Sequence, residues 1–185
     1  MVPEDERLIY ELSRGNKEAL RKIYIKYKDC LLTIASALLH DSNEAEDILH
    51  DVFITLVRCA KRIELRTNLK NYLITSIANK VRDKYRRKTH TLLELEKAGK
   101  RSSPIHDPEK AAMFDDEFRL VADAIYRLPF EQRETIVLHI TGGMKFHEIA
   151  KMQGISTSTV QGRYRYGINK LRTELNGETN NDSRR

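Results

Sequence analysis

The sequence predicts an all-α protein made of two small helical domains joined by a flexible linker. Apolar residues recur at three- and four-residue steps through residues 1–89 and again through 110–176, which is the spacing of amphipathic helices. No stretch alternates apolar and polar residues as a half-buried strand would. Residues 90–109 lose the helical spacing and contain glycine, paired serines and two prolines, so they predict the linker. The polar composition of residues 177–185 predicts a C-terminal tail outside the second domain.

Four helices are expected in the first domain. Asn16 is expected to cap the second of them, and Ser42 or Asn43 the third. The third helix begins with an acidic turn, which suits the positive end of a helix dipole. The fourth ends in six lysines and arginines within residues 80–88, opposed by Asp83. Six cations exceed what capping a helix C-terminus requires, so this run favours contact with nucleic acid.

The sequence of the second domain predicts a helix-turn-helix. A proline at position 129 separates two helices, because proline fits the first turn of a helix but not its interior. Gly154 marks the tight turn, and Ser156 is expected to cap the last helix. One face of that helix is polar and basic, which favours entry into a DNA major groove over a plain three-helix cluster with a solvated face. The opposite, apolar stripe is Val160, Tyr164, Ile168 and Leu171.

The net charge of +6 is unevenly distributed along the chain. Residues 1–60 carry −3, residues 61–101 carry +9, residues 102–134 carry −4 and residues 135–185 carry +4. One basic block in each half predicts two separate contacts with nucleic acid. The acidic blocks indicate a different partner, such as a basic protein surface.

No pattern in the sequence predicts an enzyme. There is no phosphate-binding glycine loop, and His147-Glu148 fails as a zinc motif because Lys151 stands where the second histidine should be. Asp47, His50 and Asp51 favour a solvated or protein-binding helix face over a metal site. We therefore expect no catalytic residue, metal or cofactor. With two isolated cysteines and no membrane-spanning apolar run, a reduced cytoplasmic protein without membrane insertion is expected.

Two blocks of the sequence together resemble one protein family. The first runs from Ala19-Leu20 through Tyr24 and Tyr27 to NEAEDILHDVF at residues 43–53, then NYL at 71–73, IAN at 77–79, Asp83 and Arg86-Arg87. The second comprises LPFEQRE at residues 128–134 and MKFHEIAKMQGISTSTVQGRYRYGINKLR at 144–172. Together they resemble regions 2 and 4 of the extracytoplasmic-function (ECF) group of bacterial sigma factors, in the right order and separation.

The resemblance implies the partners and the residues that meet them. Such a factor binds core RNA polymerase through its β′ and β subunits, melts the −10 element of a promoter and reads the −35 element. An anti-sigma factor is a further partner of many members. The residues matching the polymerase-docking positions are Asp47, Ile48, Asp51, Val52 and Phe53. Those matching the −10 positions are Lys61, Arg62, Arg66, Asn68, Lys70, Asn79, Lys80, Asp83, Arg86 and Arg87. Those matching the −35 positions are Ser156, Thr157, Ser158, Gln161, Arg163 and Arg165.

The sequence departs from the family pattern at a few positions. Val57 and Tyr72 stand where the family often has tryptophan, and Gly162 and Gly167 stand where it tends to have serine and alanine. Each glycine weakens a helix by up to about 1 kcal/mol relative to alanine. Gly162 also leaves one position of the DNA-facing helix without a side chain.

Two other functions remain open on the sequence. A stand-alone helix-turn-helix regulator would bind its operator without polymerase, but it leaves the acidic helix and the first basic block unexplained. An interaction protein that keeps a sigma-like core without initiating transcription should have lost the cations at residues 80–88, and they are present.

Overall fold

The computed structural model describes residues 4–63, 68–97 and 116–182, and these residues form eight α-helices and no strand. This confirms the all-α fold class. We call α1–α4 the first half and α5–α8 the second half. The helices are α1 (Glu4–Ser13), α2 (Lys17–Leu39), α3 (Ser42–Cys59), α4 (Leu69–Lys97), α5 (Asp116–Tyr126), α6 (Phe130–Ile140), α7 (Phe146–Gln153) and α8 (Thr157–Asp182), with a 3₁₀ turn at Ala60–Arg62.

Two helices run further than the sequence predicts. Helix α4 continues to Lys97, so the beginning of the expected linker, residues 90–109, is helical, and its remainder lies outside the described residues. Helix α8 continues to Asp182 and so includes most of the expected tail, residues 177–185. Neither extension contains a proline, and each residue added to an existing helix gains a backbone hydrogen bond.

The start of α3 corrects one expected cap. The Asn16 side chain accepts a hydrogen bond from the Glu18 amide, which confirms the cap of α2. Helix α3 is capped by Asp41, whose side chain accepts from the amides of residues 43 and 44 at 2.9 and 3.0 Å. Ser42 is already the first helical residue, so its backbone cannot adopt the extended conformation of an N-cap.

Helix α2 lies at the centre of the molecule. Ile23, Leu31 and Ile34 on this helix are at most 1% exposed. The helix contacts α1, α3 and α4 in the first half, and also α5 and α6 in the second. The largest hydrophobic cluster consequently includes buried residues of both halves, among them Val137 and Leu138. The two halves pack against each other.

Helix α4 packs on the first half and also meets the second half through its side chains. Its apolar face is wide, since Leu73, Ile74, Ile77 and Val81 are all fully buried. A face this broad is more than one neighbouring helix can cover. On one side α4 contacts α2 and α3. On the other, the ring of Tyr85 stacks on that of Phe130 in α6 with a centroid separation of 4.3 Å.

Candidate nucleic-acid interface

The outward face of α3 carries acidic and apolar side chains in one stripe. Asp47 and Asp51, two of the residues expected to meet polymerase, are exposed. The other three, Ile48, Val52 and Phe53, are at most 7% exposed and belong to the hydrophobic core, so they support this face from beneath. The exposed stripe, which we call the α3 surface, consists of Asp47, His50, Asp51, Ile54 and Val57.

Ile54 and Val57 are functional candidates that the sequence reasoning missed. Their side chains are 49% and 44% exposed, although both are apolar. The signal was present in the sequence, because they follow Asp47 at the alternating three- and four-residue steps of one helix face. An exposed apolar pair beside carboxylates suits a protein partner that is both apolar and basic.

The outward face of α4 carries most of the side chains expected at the −10 element. Asn79, Asp83, Arg86 and Arg87 are exposed, and we call them the α4 surface. Arg86 forms an ion pair with Asp83. Lys80, also expected there, is ion-paired across to Asp51 on α3 at 3.0 Å. The acidic and basic surfaces of the first half therefore meet along the line between α3 and α4.

The segment from the end of α3 to the first turn of α4, residues 61–70, was expected to contribute five residues to the −10 site. Lys61 and Arg62 are exposed in the 3₁₀ turn, while Arg66 lies outside the described residues. Asn68 stabilises the start of α4, because its side chain accepts a hydrogen bond from the Asn71 backbone amide at 2.7 Å. The fifth residue is Lys70, whose ammonium lies beside Gly143 of the second half.

One cation of the basic run is turned inward. Arg82 donates to the Glu134 carboxylate at 2.7 Å, from α4 to α6. Glu134 is only 2% exposed, and its other oxygen accepts from Gln153 of α7 at 2.7 Å. Burial raises the pKa of Glu134, and the charge of Arg82 opposes that rise. No local sequence pattern predicts this pair, because its residues are 52 positions apart.

The second half contains the expected helix-turn-helix. Gly154 ends α7 with φ of 67°, a left-handed conformation that favours glycine. The Ser156 hydroxyl accepts a hydrogen bond from the Thr159 amide at 3.1 Å, which confirms this residue as a cap of α8. The first turns of α8 are exposed. We call six of their exposed side chains the α8 surface: Ser156, Thr157, Ser158, Gln161, Arg165 and Tyr166.

Arg163 differs from the other residues expected at the −35 element. Its guanidinium donates to the Gln153 side chain of α7 at 3.0 Å and is half-buried. It therefore points away from the α8 surface and toward the carboxylate of Glu134. Positions 163 and 165 are two residues apart, which places them about 200° apart around a helix, so they do not share a face.

Two features fix α8 against the helices that carry it. The imidazole of His139 stacks on Phe146 at 4.2 Å and meets Tyr164 edge-on at 5.1 Å, so one aromatic cluster joins α6, α7 and α8. Gly167 lies where α8 passes close to α6, since a Cβ there would stand 2.6 Å from a methyl group of Ile136. The angle at which α8 is presented is set by these contacts.

Within residues 4–63, 68–97 and 116–182, no helix has the length and apolar character that crossing a lipid bilayer requires.

Comparison with known proteins identifies both halves. Residues 23–91 match the family model of Sigma-70 region 2, and residues 118–171 match that of Sigma-70, region 4. The chain is 29% identical to the RNA polymerase sigma factor CarQ of Myxococcus xanthus, covering 89% of this chain and 92% of the relative. It is 25% identical to the ECF RNA polymerase sigma factor SigW of Bacillus subtilis, covering 92% and 96%.

Two solved structures have a similar fold. One is the sigma factor RpoE in complex with the anti-sigma factor NepR from Bartonella quintana, with a TM-score of 0.67, 21% identity, and coverage of 84% of this chain and 96% of that one. The other is CnrH in complex with the cytosolic domain of CnrY, with a TM-score of 0.67, 23% identity, and coverage of 94% and 97%.

Proposed function

The chain belongs to the ECF group of the sigma-70 family, and we propose that the α3, α4 and α8 surfaces divide the work of such a factor. It is a sigma factor, which binds core RNA polymerase and directs promoter-specific transcription initiation. Sigma factors are regulatory subunits. The observation that carries the division of work is the presence, in one chain, of an acidic and apolar helix face, a basic helix face and an exposed helix-turn-helix.

The α3 surface is the proposed docking site for the β′ subunit of core polymerase. Asp47 and Asp51 supply negative charge, and Ile54 and Val57 supply apolar area that a partner can bury. The buried residues Ile48, Val52 and Phe53 hold this face in position rather than meeting the partner. We also propose that the chain contacts the β subunit, and we assign no particular residues to that contact.

The α4 surface and the 3₁₀ turn are the proposed −10 site. Arg86 and Arg87 are exposed cations suited to phosphates, while Asn79 and Asp83 are side chains that hydrogen-bond base edges. Melting extrudes bases from the duplex, which costs a few kcal/mol per base and must be offset by stacking and polar contacts. Lys61, Arg62, Arg66, Asn68, Lys70 and Lys80 complete the proposed site.

The α8 surface is the proposed −35 site. The N-terminal turns of a recognition helix enter the major groove, and there Thr157, Ser158 and Gln161 are exposed. Arg165 offers the guanidinium that pairs with a guanine edge. Gly162 has no atom within 4 Å of the place where a Cβ would be, so this helix presents a gap at its centre. Arg163 is proposed to contact DNA only if its bond to Gln153 breaks.

The remaining partners and the place of action follow from this function. The chain acts in the cytoplasm, where bacterial polymerase and promoter DNA are located. An anti-sigma factor is proposed as a regulator, since both solved structures of similar fold pair their sigma factor with another protein. A stand-alone regulator is disfavoured, because region 2 would then have no task.

The test is binding of core polymerase by the purified chain, followed by polymerase-dependent retention of promoter DNA in a gel shift. Asp47→Lys reverses a charge on the α3 surface, so we expect at least a tenfold loss of polymerase affinity, as for like charges placed at an interface. Asp29→Lys is the matched control, because Asp29 is 87% exposed on α2, outside the proposed site. Equal affinities of the two variants would contradict the docking site, and no binding by the wild type would contradict the function.

A further inference from the structure

Gly162 lies on the outward side of α8, away from the helices that support it. Val160 is fully buried, and two residues along a helix correspond to a rotation of about 200°, so position 162 faces away from the core. Apart from its chain neighbours and the backbone of its own helix, no described atom lies within 4 Å of a Cβ built there. The outward side of a recognition helix meets the base edges of the major groove. At the place where α8 comes nearest to the bases, it therefore has no side chain.

Two neighbouring side chains stand beside this open position. Tyr166 is one turn further along and is 62% exposed, and side chains of a helix lean toward its N-terminus, hence toward the turn of Gly162. The guanidinium carbon of Arg165 lies 5.5 Å from the centroid of the Tyr166 ring, so a cation–π contact holds it beside that ring. We call the open position at Gly162, with the ring of Tyr166 next to it, the α8 notch.

The inside of the α8 notch is apolar. Its floor is the backbone of Gly162, whose amide and carbonyl groups are bonded within the helix. One wall is the ring of Tyr166. One turn before the notch, the Ser158 hydroxyl is already within 2.8 Å of the Ser156 hydroxyl, in the group of side chains that caps α8. The notch therefore suits a group that is small and apolar.

Thymine is the base whose major-groove edge matches such a notch. Its edge carries a methyl group, whereas adenine, guanine and cytosine present only hydrogen-bond donors and acceptors there. A donor or acceptor pressed into the notch would lose its water without gaining a partner, which disfavours the other three bases. The guanidinium of Arg165, held at the edge of the notch, has the geometry that pairs with guanine O6 and N7.

We infer that the α8 notch receives the 5-methyl group of one thymine of the −35 element, and that Arg165 pairs with a guanine in the adjacent base pair. The inference rests on the proposed function, in which the α8 surface reads that element. It makes Tyr166 a specificity-determining residue, in addition to the side chains already assigned to the −35 site. It also gives Gly162, which weakens the helix, a role in binding.

The probe is promoter DNA bound by the holoenzyme that the chain forms with core polymerase. Duplexes randomised over the −35 element are first selected for binding, and we expect the preferred sequence to contain a thymine, on either strand, with a guanine in a neighbouring base pair. Each thymine is then replaced by deoxyuridine, which lacks only the methyl group. At one position this should weaken binding about fourfold, the factor that burial of one methyl-sized group contributes, and elsewhere it should have little effect.

Variants of the chain connect this preference to the notch. Gly162→Ser places a polar side chain in it and favours the helix, so the ratio of affinities for thymine and deoxyuridine should fall to about one. Asn169→Ser is the matched control, because it introduces the same residue two turns further along the same exposed side, and the ratio should be unchanged. Tyr166→Phe should keep the ratio, since it keeps the ring, and Tyr166→Ala should lower it.

The ratio compares two DNA duplexes on the same protein, so a general loss of DNA affinity does not imitate the effect. If Gly162→Ser binds too weakly to measure, Tyr166→Ala decides through the same ratio. A preferred −35 element without thymine overturns the inference. So does an element in which no replacement by deoxyuridine changes the affinity, or a Gly162→Ser chain that keeps the full preference.

Failure of the notch and failure of the proposed function give different results. A holoenzyme that initiates transcription but binds the thymine and deoxyuridine elements equally would keep the function and lose the notch. If the chain does not bind polymerase, the same ratio is measured for the chain alone, on duplexes selected by the chain alone. A fourfold ratio abolished by Gly162→Ser would then keep the notch and lose the function, and a ratio of one would lose both.

Discussion

At the scale of single residues, the two glycines of α8 have opposite surroundings. No atom lies within 4 Å of a Cβ built on Gly162, whereas a Cβ on Gly167 would be 2.6 Å from Ile136 and 3.3 Å from Gln132. Ile136 is 2% exposed, so its methyl group has little room to retreat. The first glycine weakens α8 without a packing role, and the second permits α8 to approach α6.

We therefore expect opposite effects from the same substitution. Gly162→Ala should raise the free energy of unfolding by up to about 1 kcal/mol through helix propensity. Gly167→Ala gains the same propensity but overpacks a core contact, which typically costs about 1–3 kcal/mol, so stability should fall by up to about 2 kcal/mol. Urea unfolding followed by circular dichroism measures both. Equal stabilisation by the two alanines would contradict the close approach.

At the scale of an element, α3 depends on one cap. Asp41 binds the amides of Asn43 and Glu44, which have no partner within the helix. The neighbouring Ser42 and Asn43 were the residues that the sequence suggested for this role. The α3 surface begins less than two turns after the cap, so fraying of this end would disturb the residues proposed to meet polymerase.

Asp41→Ala should consequently lower the free energy of unfolding by about 1 kcal/mol, the usual effect of losing an N-cap. Ser42→Ala should change it by a few tenths of a kcal/mol at most, because Ser42 is inside the helix and is exposed. Thermal unfolding of both variants decides between them. A larger loss for Ser42→Ala would return the cap to the position expected from sequence.

Most elements could be predicted because their signals are local. Periodic apolar residues, Pro129, Gly154 and Ser156 define helices and turns within a few positions of themselves. The ends of α4 and α8 could not be predicted so well, since polar residues permit a helix without requiring it. The inward orientation of Arg82 could not be predicted either, because its partner Glu134 is 52 positions away in the sequence.

At the scale of the whole molecule, the halves share one core. Helix α2 packs against helices of both halves, and α4 makes two polar contacts and one aromatic contact with the second half. Sequence patterns predicted two domains but contained nothing about their relative position, which depends on pairs such as Asn71 with Glu148. The surface proposed to dock on polymerase stays open to solvent in this arrangement.

The ion pair between Asp51 and Lys80 links two surfaces that are proposed to bind different macromolecules. Such exposed pairs contribute only about 0.2–1 kcal/mol, but that is enough to make substitutions at the two positions non-additive. Under the proposed assignments, a substitution at Lys80 that changes promoter preference also changes the electrostatic surroundings of Asp51. Changes in target genes and changes in competition for polymerase would then be coupled through this pair, and epistasis between α3 and α4 would constrain how the regulon of this chain evolves.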